Sequence, residues 1–305
     1  MPNFIITCDS SCDGDLFELR DKGISVLMMP YSDGNIIYKD DMNTANAVKF
    51  YENLRNGTVY KTSQVNPQEY HDFFKPLLRE NKNIIHISLS SGLSNTTNSA
   101  LIAKDMLEEE VEGAKVYIVD SKLASTNILI LLFKLVEYRD QDMKAEEAFK
   151  KISDLCVHIH PLFTTDTLKY FARGGRLNKA EAAIGSILQI NPILDVDTSG
   201  RLRVIEKARG QKRAFESIIK RIKYDVINPE EQYLYTNTAC NEEVGKPFFE
   251  RIVKEVGFKG YKYYTMGPII GAHTGPGLIM VCFVGRPIID QIIPISEIAE
   301  ALENN

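Results

Sequence analysis

The sequence predicts an α/β protein: an N-terminal parallel sheet with helices on both faces, joined to a smaller α+β domain at the C-terminal end. Three observations carry this. Short Val/Ile-rich runs alternate with helical stretches through the first half. Several of those runs end in polar turns, and the alternation gives way to hairpins mixed with helices after about residue 160. Strictly alternating β and α segments fold as a parallel sheet covered by helices, because each crossover has to lie on a sheet face.

Taken in order, Phe4–Thr7, Ile24–Met29, Asn83–Ser88 and Lys115–Val119 read as strands, and Ala45–Leu54, Pro67–Glu80, Asn95–Glu109 and Ser125–Tyr138 as helices. In open parallel sheets ligands bind beyond the carboxyl ends of the strands. The turns Thr7-Cys8-Asp9-Ser10, Ser90-Ser91-Gly92 and Asp120-Ser121 therefore mark the expected neighbourhood of a site. Farther on, Asn191–Val196 and Arg201–Glu206 flank Asp197-Thr198-Ser199-Gly200, a hairpin signal. A basic amphipathic helix (Gln211–Lys223), a strand (Gln232–Thr236), a helix (Asn241–Val256) and strands near Tyr261–Thr265 and Leu278–Val284 complete the second domain. The division is drawn at 1–165 and 166–305, with 62–80 a candidate to pack against the second domain despite its early position.

Composition narrows the class. The 305 residues carry 36 basic and 41 acidic side chains, a net charge of -5 that gives no general attraction to nucleic acid or anionic membranes. The opening MPNFIITCDSSCDGD has no basic region followed by a long apolar stretch. No signal peptide is expected, and a cytoplasmic location follows. The apolar runs around Ile128–Val136 and Leu278–Val284 are too short or too interrupted to span a bilayer, so stable membrane insertion is not expected. Cys8 and Cys12 have no second Cys or His pair to complete a zinc site, and no metal or cofactor is expected.

Two motif readings fail on their own chemistry. Asp9-x-Ser11-x-Asp13-Gly14 begins like a calcium loop, but its twelfth position is Arg20, where a bidentate Glu is required. Gly57–Thr62 lacks the Gly-Lys-Thr ending of a phosphate loop. A third stays open. Gly92-Leu93-Ser94-Asn95-Thr96 approaches a nucleophile elbow, and His273 lies downstream with acidic residues between, so a serine hydrolase acting on a lipid ester through Ser94 and His273 is the alternative reading.

Five constellations remain. An apolar strand feeds Ser90-Ser91-Gly92-Leu93-Ser94 into a helix start, where free N–H groups attract anions and Ser94 and Thr96 add hydroxyl donors. Plain N-capping by Ser94 or Asn95 accounts for the same residues. Thr62-Ser63-Gln64 is a second hydroxyl cluster, ahead of a helix with Pro67 near its start. Arg173-Gly174-Gly175-Arg176 is a basic turn suited to an anion or to a helix C-terminus, and Lys207-Ala208-Arg209-Gly210 is similar. Gly271-Ala272-His273-Thr274-Gly275-Pro276-Gly277 encloses a titratable side chain in conformationally special backbone, the mark of a functional loop.

In order, these pieces resemble the DegV family, the fatty-acid-binding subunits of bacterial fatty acid kinase. The matching landmarks are Asp9-Ser10, Thr62-Ser63-Gln64, Ser90 to Ser94, Asp120-Ser121, Gly174-Gly175-Arg176, Lys207 to Gly210 and His273 to Gly277. The resemblance implies a fatty acid such as palmitate, stearate or oleate in a tunnel near the domain interface. Its carboxyl would be held by Thr62 and Ser94, with Ser63 and Asn95 beside them. Arg176, Arg209, His273 and Thr274 would lie around the exposed head group and face a partner. That partner, the ATP-binding subunit of the kinase, would transfer phosphate to the bound acid, so the chain itself is expected to be a carrier with no catalytic residue. The chain departs from the family pattern at Asn95 (commonly Gly), at Val65 (commonly Pro), and in an extra residue or two before Leu16.

Overall fold

The computed structural model describes residues 2–177 and 190–304. In chain order the strands are β1 (Ile5–Asp9), β2 (Ile24–Leu27), β3 (Pro30–Ser32), β4 (Ile37–Lys39), β5 (Lys61–Thr62), β6 (Asn83–Ser88), β7 (Lys115–Asp120), β8 (Ile159–Thr164), β9 (Ile190–Val196), β10 (Leu202–Arg209), β11 (Leu234–Thr238), β12 (Tyr261–Thr265) and β13 (Ile279–Val284). The helices are α1 (Leu16–Asp21), α2 (Thr44–Arg55), α3 (Pro67–Glu80), α4 (Thr96–Glu110), α5 (Asn127–Asp140), α6 (Ala145–Leu155), α7 (Lys169–Gly174), α8 (Gln211–Asp225), α9 (Glu242–Ile252), α10 (Pro268–Thr274) and α11 (Ile295–Glu303).

The N-terminal sheet runs β2-β1-β6-β7 with every pair parallel. Its inner strand β6 is buried along almost its whole length, as an apolar run covered on both faces should be. Helices α5 and α6 pack into the core that holds Ile6, Ile85 and Leu132; α3 and α4 pack into the core that holds Tyr70, Ile84 and Ala103. Helix α3 starts where Asn66 accepts from the Glu69 N–H while the Glu69 carboxylate accepts from the Asn66 N–H, with Pro67 at the first turn.

The second sheet is mixed, in the order β10-β9-β8-β13-β11-β12. Helices α8 and α9 cover one of its faces through Ile218, Ile222, Phe248 and Phe249. Strand β8 pairs with β13 and β9, so the chain enters this sheet at Ile159, and a division at 165 would cut off one of its central strands. The segment that reaches toward the second sheet is also earlier than 62–80. Phe50, Tyr51 and Leu54 of α2 share a core with Phe163, Leu194 and Met280, whereas α3 stays in the N-terminal half. A small antiparallel sheet, β4-β3-β5, takes β3 and β4 from before α2 and β5 from between α2 and α3, and ends at Thr62. Its strands of two or three residues are too short to leave a periodic signature.

The two halves lock where the turn after β6 meets the β9–β10 hairpin. Ser90 Oγ donates to the Gly200 carbonyl at 2.8 Å. The turn is braced from the other side by Asp120, which accepts from the Ser91 N–H at 3.0 Å and pairs with Lys122 at 2.6 Å. Among the described residues no helix is long and apolar enough to cross a membrane.

Gly92 sits within this lock, and a Cβ there would come 2.7 Å from the carbonyl oxygens of both Ser199 and Gly200. Backbone cannot yield as a flexible side chain would. Gly92→Ala is therefore expected to destabilise the fold by about 1–3 kcal/mol, read as a lower urea midpoint with an unchanged slope. An unchanged midpoint would show that the halves do not depend on this contact.

Candidate functional site

A cavity lies between the two sheets, with about 1000 Å³ of space between its walls including the mouth. Its course follows β8 and β13. Leu278, Phe171, Pro161, Val196 and Leu202 line it, and Phe163 stands opposite Met280 in the paired strands. Met29, Leu89 and Ile269 supply the wall from the N-terminal half and from α10.

Polar groups gather at one end. Four segments converge there: Thr62, Ser63 and Gln64 after β5; Ser94 and Asn95 before α4; Arg176 after α7; and His273 and Thr274 at the end of α10. Ser94 is placed by a tight turn in which the Leu93 and Ser94 N–H groups both donate to the Ser90 carbonyl, at 3.0 and 3.1 Å. Thr97 Oγ1 donates to the Leu89 carbonyl at 2.7 Å and fixes the helix start to the strand end. Ser94 Oγ donates to Thr96 Oγ1 at 2.9 Å and accepts from the Thr96 N–H at 3.3 Å. Asn95 occupies the N-cap position without a side-chain cap bond and is exposed at the mouth, as is Ser63.

His273 and Thr62 meet across the seam, with Nε2 2.8 Å from Oγ1. The sequence placed His273 in a glycine-rich loop; it lies instead in the last turn of α10, a helix that begins at Pro268 and is closed by Gly275 at φ 73°. Pro at the first helical position and Gly just past the end were the available signal. Among the described residues its Nδ1 is buried without a hydrogen-bond partner. Gly174 permits this placement, because a Cβ there would sit 2.3 Å from Nδ1. Burial, and then the charges of Arg176 and Arg173, hold the His273 imidazole down at about 4. Arg176 is half-buried; Nε donates to the Leu93 carbonyl at 3.1 Å and Nη1 to that of Gly174 at 2.5 Å.

Two expected residues depart from their roles. Thr274 is buried and turned inward, with Oγ1 3.2 Å from Met266 Sδ, so it lines the cavity and does not face a partner. Arg209 is exposed at the end of β10 opposite Ile190, outside the cavity lining. Two strand spacings of about 4.8 Å separate β10 from β8. Among the described residues the hydrolase arrangement is not formed either: Ser94 bonds to Thr96, His273 bonds to Thr62, and no acid meets His273 Nδ1.

The apolar lining escaped sequence reasoning. Phe163 and Met280 are buried strand residues of the same type as any core position, and only the register that aims them at a gap sets them apart. The basic turn resolved as the end of α7, with Gly175 at φ 70° and Arg176 beyond it.

A family model described as "Uncharacterised protein, DegV family" matches residues 3–286. A DegV domain-containing protein of Clostridium perfringens is 30% identical over 286 residues, covering 93% of this chain and 98% of the relative. One from Lactococcus lactis is 30% identical over 291 residues with the same coverage. Among solved structures, "Fatty Acid Binding of a DegV family Protein from Thermus thermophilus" aligns at a TM-score of 0.82 and 23% identity, covering 93% of this chain and 100% of the other. A Streptococcus pneumoniae Fatty Acid Kinase (Fak) B3 protein loaded with linoleic acid aligns at 0.78 and 20%, covering 92% and 99%.

The imidazole can be tested directly. A histidine whose folded pKa lies below its unfolded value of about 6.5 favours unfolding as pH falls through that window. NMR titration should place the His273 midpoint near 4, and its contribution to stability should decline between about pH 6.5 and 4. A midpoint at or above 6.5 would contradict the burial described here.

Proposed function

Because the chain belongs to the DegV family, we propose that it is a cytoplasmic carrier of one long-chain fatty acid, presenting the carboxyl group to an ATP-dependent kinase partner that forms the acyl phosphate. The supporting observation is the asymmetry of the cavity: mostly apolar along its length, apart from Ser125 and Asn127, with Thr62, Ser94, His273 and Arg176 together at one end. A fatty acid has the same asymmetry. The solved relatives described as binding fatty acids share this fold.

Affinity would come from the tail. Burying roughly fourteen methylenes at about 0.8 kcal/mol each gives on the order of 11 kcal/mol, from which association and chain ordering remove several. Micromolar or tighter binding remains. The head-group bonds replace bonds to water and so contribute orientation more than affinity.

The polar end suits that task. In its Nε2–H tautomer His273 donates to Thr62 Oγ1, which frees the threonine hydrogen for a carboxylate. Ser94 offers a second hydroxyl once it turns from Thr96, while Ser63 and Asn95 lie at the mouth. A carboxylate oxygen attacking the γ-phosphorus of ATP yields acyl phosphate and ADP. Arg176, with Arg173 exposed nearby, would favour the incoming phosphate charge. Held neutral by burial and by those cations, His273 would orient the carboxylate through Thr62 without an ion pair.

Two measurements test this. Protein purified from cells, denatured and analysed by mass spectrometry, should release close to one fatty acid per chain. Ala124→Phe, which adds a ring at the cavity wall, should lower retention roughly tenfold or more, the equivalent of 1.4 kcal/mol, with an unchanged circular dichroism spectrum. Full retention by that variant would place the lipid elsewhere. Separately, Ser94→Ala should weaken binding modestly, whereas His273→Ala should keep its lipid and slow acyl phosphate formation by the cognate kinase. The opposite pattern would exchange the two roles.

A further inference from the structure

A second cavity opens at the other end of α10, and its chemistry is the reverse of the first. It holds about 780 Å³ including its mouth, and is lined by Asp13, Asp40, Thr44 and Thr265 among others, with Asp15 exposed at the entrance. No lysine, arginine or histidine is among the lining residues. The nearby Lys262 ammonium instead faces Glu18 at 3.9 Å and the rings of Phe133 and Tyr235.

Asp13 and Asp40 are 4% and 1% exposed. Asp13 Oδ1 accepts from the Gly267 N–H at 2.9 Å, and its other oxygen accepts from Ser125 Oγ. Asp40 Oδ1 accepts from the Met42 N–H at 3.0 Å, while among the described residues Oδ2 is buried with no partner in hydrogen-bond geometry, and the Ser10 hydroxyl beside the carboxyl offsets part of its burial. The two carboxyls converge: one point, the position of a Cβ on Gly267, lies 2.9 Å from Asp13 Oδ1 and 3.5 Å from Asp40 Oδ2. Asp9, 1% exposed, adds a third buried carboxyl to the same interior. None of the three forms an ion pair among the described residues.

Buried carboxyls without a counter-charge are strongly unfavourable. Protonation relieves only part of this. Burial pushes the Asp13 carboxyl well above its ordinary range and raises Asp9 as well, but it pushes Asp40 only to about 6, so at neutral pH most molecules still carry the Asp40 charge. Carboxylates and hydroxyls dominate the polar lining, with Asn43 and the Met42 thioether beside them, and such oxygen groups suit a hard cation. Two converging carboxylates, with no group of three or more His, Cys, Asp or Glu placed to hold a metal among the described residues, suit a monovalent ion better than a divalent one.

We propose that the Asp13–Asp40 cavity beneath the N-terminus of α10 is a monovalent-cation site, occupied by potassium or sodium from solution. The ion neutralises the buried carboxyl pair and thereby secures the end of α10 opposite to the fatty-acid head group. This site does not depend on the carrier reading, and its test does not involve lipid.

The thermal midpoint of the full chain should be measured at neutral pH and constant ionic strength in potassium, sodium and N-methylglucamine chlorides. An alkali ion should raise it by roughly 2–4 °C over N-methylglucamine, and Asp40→Asn should abolish the difference. Rubidium-soaked crystals should show an anomalous peak between the two carboxyls, a readout that survives if the variant does not fold. Equal midpoints in the three salts, a cation effect that persists in Asp40→Asn, or an anomalous map without a peak in this cavity would overturn the proposal and leave a protonated carboxyl pair.

Discussion

Helix α10 is held to the N-terminal half at both ends, and the interior of the protein is organised around that constraint. At its start the Gly267 N–H binds Asp13 of the turn after β1; at its end His273 binds Thr62 of β5. Between these points Ile269 enters the core of the N-terminal half and Ala272 the core facing the second sheet. Gly271 brings the helix against α2, where a Cβ would come 2.5 Å from the Tyr51 hydroxyl. A seven-residue helix has little stability of its own. Its position is therefore set by what it touches, and it holds two layers at a fixed separation.

That separation explains how an apolar cavity survives in a folded protein. Interiors close-pack, and an empty volume costs roughly 24 cal/mol per Å³ where the surroundings cannot collapse. Here collapse is resisted on several sides: by the paired strands β8 and β13, by α10, and by the lock between Ser90 and the β9–β10 hairpin. A wall made of rigid elements preserves the space, and a ligand that fills it recovers the lost contacts. Filling such a site also stabilises the fold by mass action, since the unfolded chain has no cavity to fill.

The alternation of elements in the first half was legible because the strands of the parallel sheet are largely apolar runs and some helices carry a recognisable start, as Asn66-Pro67 does for α3. The hydroxyl clusters at Thr62 and Ser94 were legible as helix-start chemistry, and the structure does bring them to one end of one cavity. Residues whose role depends on distant partners were not. The exposed end of β10 where Arg209 stands, and the inward turn of Thr274, follow from sheet register and helix phase that one sequence does not state. Strand β8 was missed for a similar reason: its partners β13 and β9 come later in the chain, and Pro161 within it reads as a break.

Electrostatics then distinguishes the two ends of α10. Its last turn meets Arg176, Arg173 and a histidine kept neutral, while its first meets Asp13 and Asp40. The chain as a whole is acidic, at -5, so net charge alone would disfavour an anionic ligand. Charges near a low-dielectric site act far more strongly than distant solvated ones, because water screens the latter within about 10 Å. A carboxylate entering the first cavity would be governed by the nearby guanidinium groups and not by the overall excess of acid. The same locality makes the buried aspartates matter at the opposite end, where among the described residues no side-chain cation lines the cavity.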